Sequence, residues 1–446
     1  MKQPGAARPD AENQTVANTP YDAVIIGGGF AGLSAAALLA RQGRRVLLVE
    51  KSGRLGGRAA YVERDGFIWQ YGQHSHRLAG DGIAARVFER LGDPIEFIDT
   101  RGNTAYLYFD GRIYPRPEGI AGFLSTPLLP LTARLDFLRF YRRLLKADPH
   151  AWYDRTLLDF YREHGRNPWV ERFLGFLGFT VMVADPARVS AGEVLQFLQR
   201  AAKAPVKQGE PRGGSKQIID KLEAAIHRHG GEIHAPERVE TILIEQGAAV
   251  GVKTNDAIYR AGNIVFAAPL SGLLRIVPAY LFASAFVDYV AHIRPSRGVS
   301  IDFVFDKPVT DMTGGILGVD MPLWAKFQSH IDPTVAPEGK CVNTWAMLLD
   351  PDAPATREQA DAAEVRIRQI METILPGCTG KIVHRRRLIL PVVNANMLIP
   401  EQSYPHRPPI ACPEVAHLFF IGDTVQSEGC SGDIAFSSAL HLAELI

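Results

Sequence analysis

The sequence predicts an α/β fold built as two domains. Three observations carry that expectation: 446 residues are more than one core needs, a strand, helix and strand follow one another near the N-terminus, and further strand and helix patterns return in the middle and at the very end. Tyr21 to Ile26 is apolar and β-branched, Phe30 to Gln42 is rich in Ala and Leu at helical spacing, and Arg45 to Val49 is again a buried-strand run. Gln217 to His229 carries Ile218, Ile219, Leu222, Ala225 and Ile226 on one helical face, and Gly230-Gly231 stand where a C-cap belongs. Val239 to Ile244 and Ala249 to Lys253 form a hairpin pattern, Ile264 to Ala268 reads as a buried strand, Leu418 to Ile421 as another, and Ile434 to Leu445 as a closing helix.

Composition narrows the class. Hydrophobic residues at 46% and charged residues at 22% are values of a compact globular chain. Lys plus Arg (49) nearly equals Asp plus Glu (48), so no bulk attraction to nucleic acid is expected. Cys341, Cys378, Cys412 and Cys430 form no C-x-x-C pair and have no closely spaced His, so neither a disulfide framework nor a metal site is predicted, and a reducing compartment, the cytoplasm, is expected. Residues 1–20 are polar, with no apolar core of a signal peptide, and read as a flexible tail. The uncharged stretch from Ala23 to Ala40 is interrupted by Gly27-Gly28-Gly29 directly after a strand, which makes it a nucleotide loop rather than a membrane span.

That loop is the strongest motif. Gly27, Gly29 and Gly32, with Phe30 and Ala31 between the last two, form G-x-G-x-x-G between strand and helix. The first glycine permits the tight turn, the second lets backbone approach a pyrophosphate, and the third lets helix pack on strand, with the helix N-terminus facing the negative charge. Glu50 ends the second strand, where its carboxylate can accept from ribose hydroxyls. The cradle is thus Rossmann-like and prefers a ribose without 2′-phosphate. Lys51 to Arg58 (KSGRLGGR) follows at once: Gly56 and Gly57 allow a second backbone approach to a diphosphate, and Arg58 offers a guanidinium fork to it.

Glu50 followed by R-x-G-G-R resembles the superfamily of FAD-dependent amine oxidases, protoporphyrinogen oxidases and phytoene desaturases, and is most similar to the phytoene desaturase-like branch. The resemblance implies FAD. Two further segments extend it. Pro211-Arg212-Gly213-Gly214-Ser215 before a helix, then His234 to Ile242, is similar to the second flavin crossing, where the Val239 backbone would hold the adenine. Leu418 to Thr424 and Glu428 to Asp433 are similar to the C-terminal flavin motif, in which Gly422 and Asp423 would contact diphosphate and ribityl chain. The last helix, opening at Gly432, Asp433 and Ile434, would point its N-terminus at the flavin pyrimidine. Cys412 lies too close to Gly422 to match the attachment cysteine of relatives with covalent flavin, so the FAD is expected to be noncovalent. No second G-x-G-x-x-G appears, which argues against a separate NAD(P) domain.

The same resemblance implies a discontinuous FAD-binding domain from 20–80, 205–270 and 415–446, and a substrate-binding domain with mixed sheet and helices from 81–204 and 271–414. It also implies an oxidoreductase in which a substrate C–H hydride is exchanged with flavin N5. Amine oxidases of the superfamily place two aromatic rings before the flavin. The matching positions here fall near Ala395 and at Gly432, neither aromatic, although Tyr404 and Trp345 could supply rings from elsewhere. Arg172 to Val183 and Ala268 to Phe286 are apolar with small residues interspersed, suited to lining an apolar substrate site or to packing a core. A small apolar substrate, terpenoid or lipid, turned over by a desaturase, dehydrogenase or isomerase, is therefore the expectation. An amine or amino-acid oxidase stands as the alternative, and a Rab-escort or GDP-dissociation-inhibitor-like prenyl-binding protein without flavin chemistry as the alternative of another class. His74, after the Gly-Gly-Arg motif, is the candidate to polarise substrate or take up a proton, with His76 beside it. Residues 131–146 set Leu131, Leu135, Leu138, Tyr141 and Leu145 on one face with five Lys/Arg largely elsewhere, a pattern that suits a membrane surface or a solvated helix face. The residues single out no electron acceptor among oxygen, a quinone and a partner protein.

Overall fold

The computed structural model describes residues 20–72, 75–100, 103–183 and 185–446, so the polar tail through residue 19, and His74, lie outside the described residues. One seven-stranded sheet runs Glu232–His234, Val46–Val49, Tyr21–Ile26, Ile258–Phe266, Ala248–Thr254 and Val239–Glu245, with Leu418–Phe420 also on Ile258–Phe266. Strands from three distant stretches therefore share one sheet, and the central pairings are parallel. Parallel strands covered on both faces are apolar throughout, as in the fully buried Val-Leu-Leu-Val of 46–49. The helix Phe30–Arg41 lies on this sheet, and Ala35, Ala36 and Ala37 are wholly buried in the core that it shares with Ser215–Arg228 and with the closing helix, Gly432–Leu445. The strand expected at Ile264 to Ala268 starts earlier, at Ile258, because Arg260 and Asn263 break the apolar run that marks it in the sequence.

A second seven-stranded sheet has the order Ile382–Leu390, Arg297–Phe305, Cys341–Leu349, Leu323–Lys326, Ile316–Gly318, Tyr106–Phe109, Arg112–Pro115 and is mostly antiparallel. Its period of two separates its faces. Ile301, Phe303 and Trp345 pack with Ile367, Ile370 and Met371 of the helix Arg357–Ile374. On the opposite face Thr344 donates to Asp302 at 2.5 Å, and Arg386 Nε donates to the other Asp302 oxygen at 2.8 Å.

A third layer is helical: Leu131–Leu144, Leu157–His164, Pro168–Phe179 and Ala191–Lys203 close around Phe137, Phe140, Phe160 and Phe173. The basic helix buries Ala133, Phe137, Phe140 and Leu144, whereas Leu131 and Leu135 stand 62% and 44% exposed. The large rings choose the buried face; of the stripe read from the sequence, Leu131 and Leu135 face solvent, Leu138 is half-buried, and Tyr141 and Leu145 pack against the helical core. In the apolar segment after Ala268, the core-packing alternative holds for Phe282 and Phe286, which join the first sheet's core, with Phe286 stacked on Phe420 at 5.5 Å. Among the described residues no helix is long and apolar enough to cross a membrane.

Glu193, in the first turn of Ala191–Lys203, pairs with Arg407, and both side chains are fully buried. Glu193 Oε1 also accepts from the Tyr404 amide at 2.8 Å. Removing one member strands the other without water. Glu193→Ala should therefore cost about 3–5 kcal/mol in denaturant unfolding, and an apolar pair such as Glu193→Leu with Arg407→Met should recover most of it.

Candidate active site

The first strand ends at Ile26, and the chain turns at Gly27, whose φ of 112° is reserved for glycine. A Cβ at Gly32 would stand 1.9 Å from the Gly27 carbonyl oxygen, so the helix can approach the turn only with glycine there. At Gly29 a Cβ would meet nothing within 4 Å, and the same holds at Gly422, where φ is 118°. Two glycine backbones at strand ends thus face open space while their neighbours are tightly packed. Phe30 and Ala31 open the helix and are buried.

Glu50 is buried and already oriented: Gly28 N–H donates to Oε2 at 2.7 Å and Ser52 N–H to Oε1 at 2.8 Å. Its own amide donates to the His234 carbonyl, and its carbonyl accepts from the Glu237 amide at 2.8 Å, which sets the 234–239 segment beside it. Val239, two residues on, begins the hairpin opposite Thr254. Lys51 is exposed. Gly56 N–H donates to the Gly28 carbonyl at 2.7 Å, and a Cβ at Gly57 would press on Gly29 Cα at 3.3 Å, so the two glycine turns lie backbone to backbone.

The Arg58 fork, expected on a diphosphate, is directed elsewhere. Nη1 and Nη2 donate to the two Asp423 oxygens at 2.8 and 2.6 Å, and Nη1 also to the Val393 carbonyl at 2.9 Å. Ala395 N–H donates to the same Asp423 carboxylate at 2.8 Å. Asn394 between them is a residue that sequence reasoning missed. Its Oδ1 accepts from Ser431 at 2.7 Å, while its buried Nδ2 has no partner among the described residues. A buried amide left with a free donor marks a place for a polar group. Nothing in the irregular 391–399 stretch signals this in the sequence.

Gly432, Asp433 and Ile434 form the first turn of the closing helix. Burial pushes the Asp433 carboxyl up, against the pull of Arg77, Arg200 and Arg86. Ile434 and Cys430 join the helical layer's core with Leu177, Val181, Val183, Met397, Leu398 and Ile399, which brings one end of Arg172 to Val183 to the start of the closing helix. His76 lies between Phe30 and Phe436, its ring 5.8 and 5.7 Å from theirs. Burial, with Lys326 and Arg77 nearby, lowers it to about 3, so it is a neutral imidazole. Trp345 faces the Arg357–Ile374 helix and Tyr404 stacks on Tyr153 at 5.8 Å, so neither forms a cage with position 395 or 432.

Two glycine turns beside an oriented acid, at the N-terminus of the helix that follows the first strand, fit a dinucleotide and make the first sheet a Rossmann-like cradle. The chain belongs to the flavin-containing amine oxidoreductase family, whose model matches residues 30–376. It is 26% identical to the chloroplastic prolycopene isomerase of Daucus carota over 55% of this chain and 45% of that protein. It is 24% identical to the Arabidopsis thaliana enzyme of the same name over 82% of this chain and 71% of that one. The chain thus spans about half the length of the carrot protein. An oxidoreductase from Methanosarcina mazei shares its fold with a TM-score of 0.78 at 21% identity, covering 95% of this chain and 99% of that one.

Gly29→Ala should leave the melting temperature of the flavin-free protein unchanged yet lower retained flavin, because its Cβ meets no protein atom within 4 Å. Gly32→Ala should lower the melting temperature itself, by overpacking worth about 3 kcal/mol. Thermal melts and flavin absorbance separate the two. His76 binds its proton in the unfolded chain near its ordinary value of 6.5 but in the folded protein only at about 3, so stability falls as pH drops through that interval. His76→Asn should flatten this acid slope by up to about 1.4 kcal/mol per pH unit in urea unfolding.

Proposed function

We propose that the protein holds FAD noncovalently and is an oxidoreductase of desaturase, dehydrogenase or isomerase type acting on a small apolar substrate, terpenoid or lipid. The observation that carries this reading is the apolar cluster of Leu177, Val183, Met397 and Ile399 that meets Cys430 and Ile434 at the start of the closing helix. A substrate entering there would find mostly hydrocarbon, with Asp433 buried in the same turn and Arg77 donating to the Thr180 and Cys430 carbonyls at 2.9 and 3.4 Å. Positions 395 and 432 are alanine and glycine, which disfavours the amine-oxidase alternative. The names of the prolycopene isomerases support the same substrate class. Oriented Glu50 and the Arg58–Asp423 pair argue against a prenyl-binding protein that has no use for a flavin.

Gly27, Gly29, Gly32, Gly56 and Gly57 would admit the diphosphate to backbone, Glu50 and the Val239 backbone would hold the adenosine, and Gly422, Asp423 and the Gly432–Ile434 turn the flavin end. When bound, the flavin supplies the capacity to exchange a hydride with a substrate carbon. The chain's part is to exclude water with the apolar cluster and to hold the substrate against the cofactor. Neutral His76 can take no proton near neutrality, so His74 remains the side chain we assign to proton handling. Burial pushes the Cys412 and Cys430 thiols up to about 11 and about 12, which supports the noncovalent reading. The 131–146 segment is the element we assign to peripheral membrane contact.

Anaerobic visible spectra of the purified flavoprotein test the reading. Bleaching by an apolar terpenoid extract and not by a panel of amines is expected, with all flavin released into the supernatant on acid denaturation. Bleaching by an amine alone would turn the assignment to the alternative oxidase, and protein that neither carries nor takes up FAD would end it.

A further inference from the structure

The helix Leu131–Leu144 shows an arrangement on its exposed side that core packing does not explain. Steps of 100° per residue put positions 131, 135, 139 and 142 within a stripe roughly 80° wide, and Lys146 follows in the turn just beyond the helix end. The stripe begins with exposed Leu131 and Leu135 and continues with exposed Arg139 and Arg142, flanked by Arg143. Beside its apolar end lies the short helix Gly119–Ser125, whose Ile120 and Leu124 are 70% and 41% exposed. The two helices are clamped together: Phe123 stacks on Phe137 at 4.8 Å, and Arg134 donates to the carbonyls of Leu124 and Leu129 at 2.6 Å. Ile120, Leu124, Leu131 and Leu135 are four of the nine large apolar side chains most exposed among the described residues, and they sit within 16 residues of one another. Scattered single leucines need no explanation, but a rigid cluster does.

The basic end frames a concavity of about 540 Å³, rimmed by Arg139, Arg142, Arg143 and Lys146 and floored by Trp152 and Phe160. None of these four cations has an ion-pair partner among the described residues. Their neighbours are matched, Arg155 with Glu163 at 2.5 Å and Arg162 with Glu171 at 3.0 Å. Position at a helix C-terminus accounts for one or two cations through the helix dipole. It does not account for four around one hollow with an aromatic floor.

We propose that this surface docks the protein on an anionic lipid bilayer, with Ile120, Leu124, Leu131 and Leu135 entering the acyl boundary and the concavity receiving a phosphate headgroup. The proposal rests on the assignment of membrane contact to 131–146 made above, and deepens it by naming the lipid charge, the inserting side chains and the headgroup site. The apolar ridge decides for a lipid over a soluble phosphate compound, since a soluble anion has no use for four exposed aliphatic side chains beside its site. Charge complementarity decides for anionic over neutral lipid, because each cation near such a surface adds to binding and does so less as salt rises.

The test is sedimentation of the full chain with phosphatidylcholine vesicles, with and without phosphatidylserine. Binding only to the phosphatidylserine vesicles, falling with added salt, is expected. Replacing Arg139, Arg142, Arg143 and Lys146 by Gln together should weaken it by roughly tenfold or more. Leu131→Ser with Leu135→Ser should weaken it too, with every charge kept, and both variants should melt like the parent since all six residues lie on the surface. Equal binding to both vesicle types, or no binding to either, would overturn the proposal. So would capture of free glycerophosphoserine by a protein that ignores vesicles, which would mark a soluble-anion site. A protein that sediments as expected while its flavin ignores dispersed terpenoids would refute the substrate reading and leave the docking intact.

Discussion

The bidentate pair of Arg58 with Asp423 is the constraint on which the site depends. It joins residues 365 positions apart and ties the second glycine turn, Gly56-Gly57, to the C-terminal turn. Asp423 is only 5% exposed at its side chain, so its charge must be matched within the protein, and it is matched by the guanidinium and by the Ala395 amide. The same guanidinium donates to the Val393 carbonyl. One ion pair therefore fixes three stretches of chain around the place where the two open glycines stand.

A second set of contacts ties the other sheet to the same place. Arg386, held by Asp302, lies over the rings of Trp69 and Tyr71 at 5.0 and 5.2 Å and donates to the Gln70 carbonyl. Gln70 Oε1 in turn accepts from Ser215 N–H at 2.9 Å, at the head of the Ser215–Arg228 helix. Burial pushes the Asp302 carboxyl up, while Arg386 and Thr344 pull it down. The strand Phe67–Gln70 is thus positioned from both the second sheet and the helix Ser215–Arg228 that packs on the first.

How much of this is legible in the sequence depends on whether the backbone or a distant side chain does the work. Gly27, Gly32 and Gly56 are legible because only glycine satisfies the turn or the close approach, and Glu50 because its place after a strand is fixed by local order. The strands of the first sheet are legible for the same reason: both faces are covered, so the apolar run is continuous. Arg58 is legible as a functional residue but not in its partner, because nothing local announces that Asp423 will reach it. Asn394 and Arg386 are illegible, being defined only by what lies across a gap of tens or hundreds of residues. The basic helix shows the limit of periodicity: two apolar stripes compete on it, and the one with Phe137 and Phe140 is buried because aromatic rings bury more area than leucines do.

The competition on that helix also explains how a protein can be stable and still expose apolar side chains. The core under the helix is complete without Leu131 and Leu135, since Phe137 meets Phe173 edge to face at 5.1 Å and Phe140 meets Tyr161 at 5.1 Å. The exposed leucines add nothing to that packing, and hydration of their side chains is unfavourable in the isolated chain. The buried rings meet the needs of the fold. The exposed stripe is therefore free to serve contact with something outside it, and its alternation of apolar and cationic ends along one rigid helix is the form such contact takes where hydrocarbon and phosphate meet.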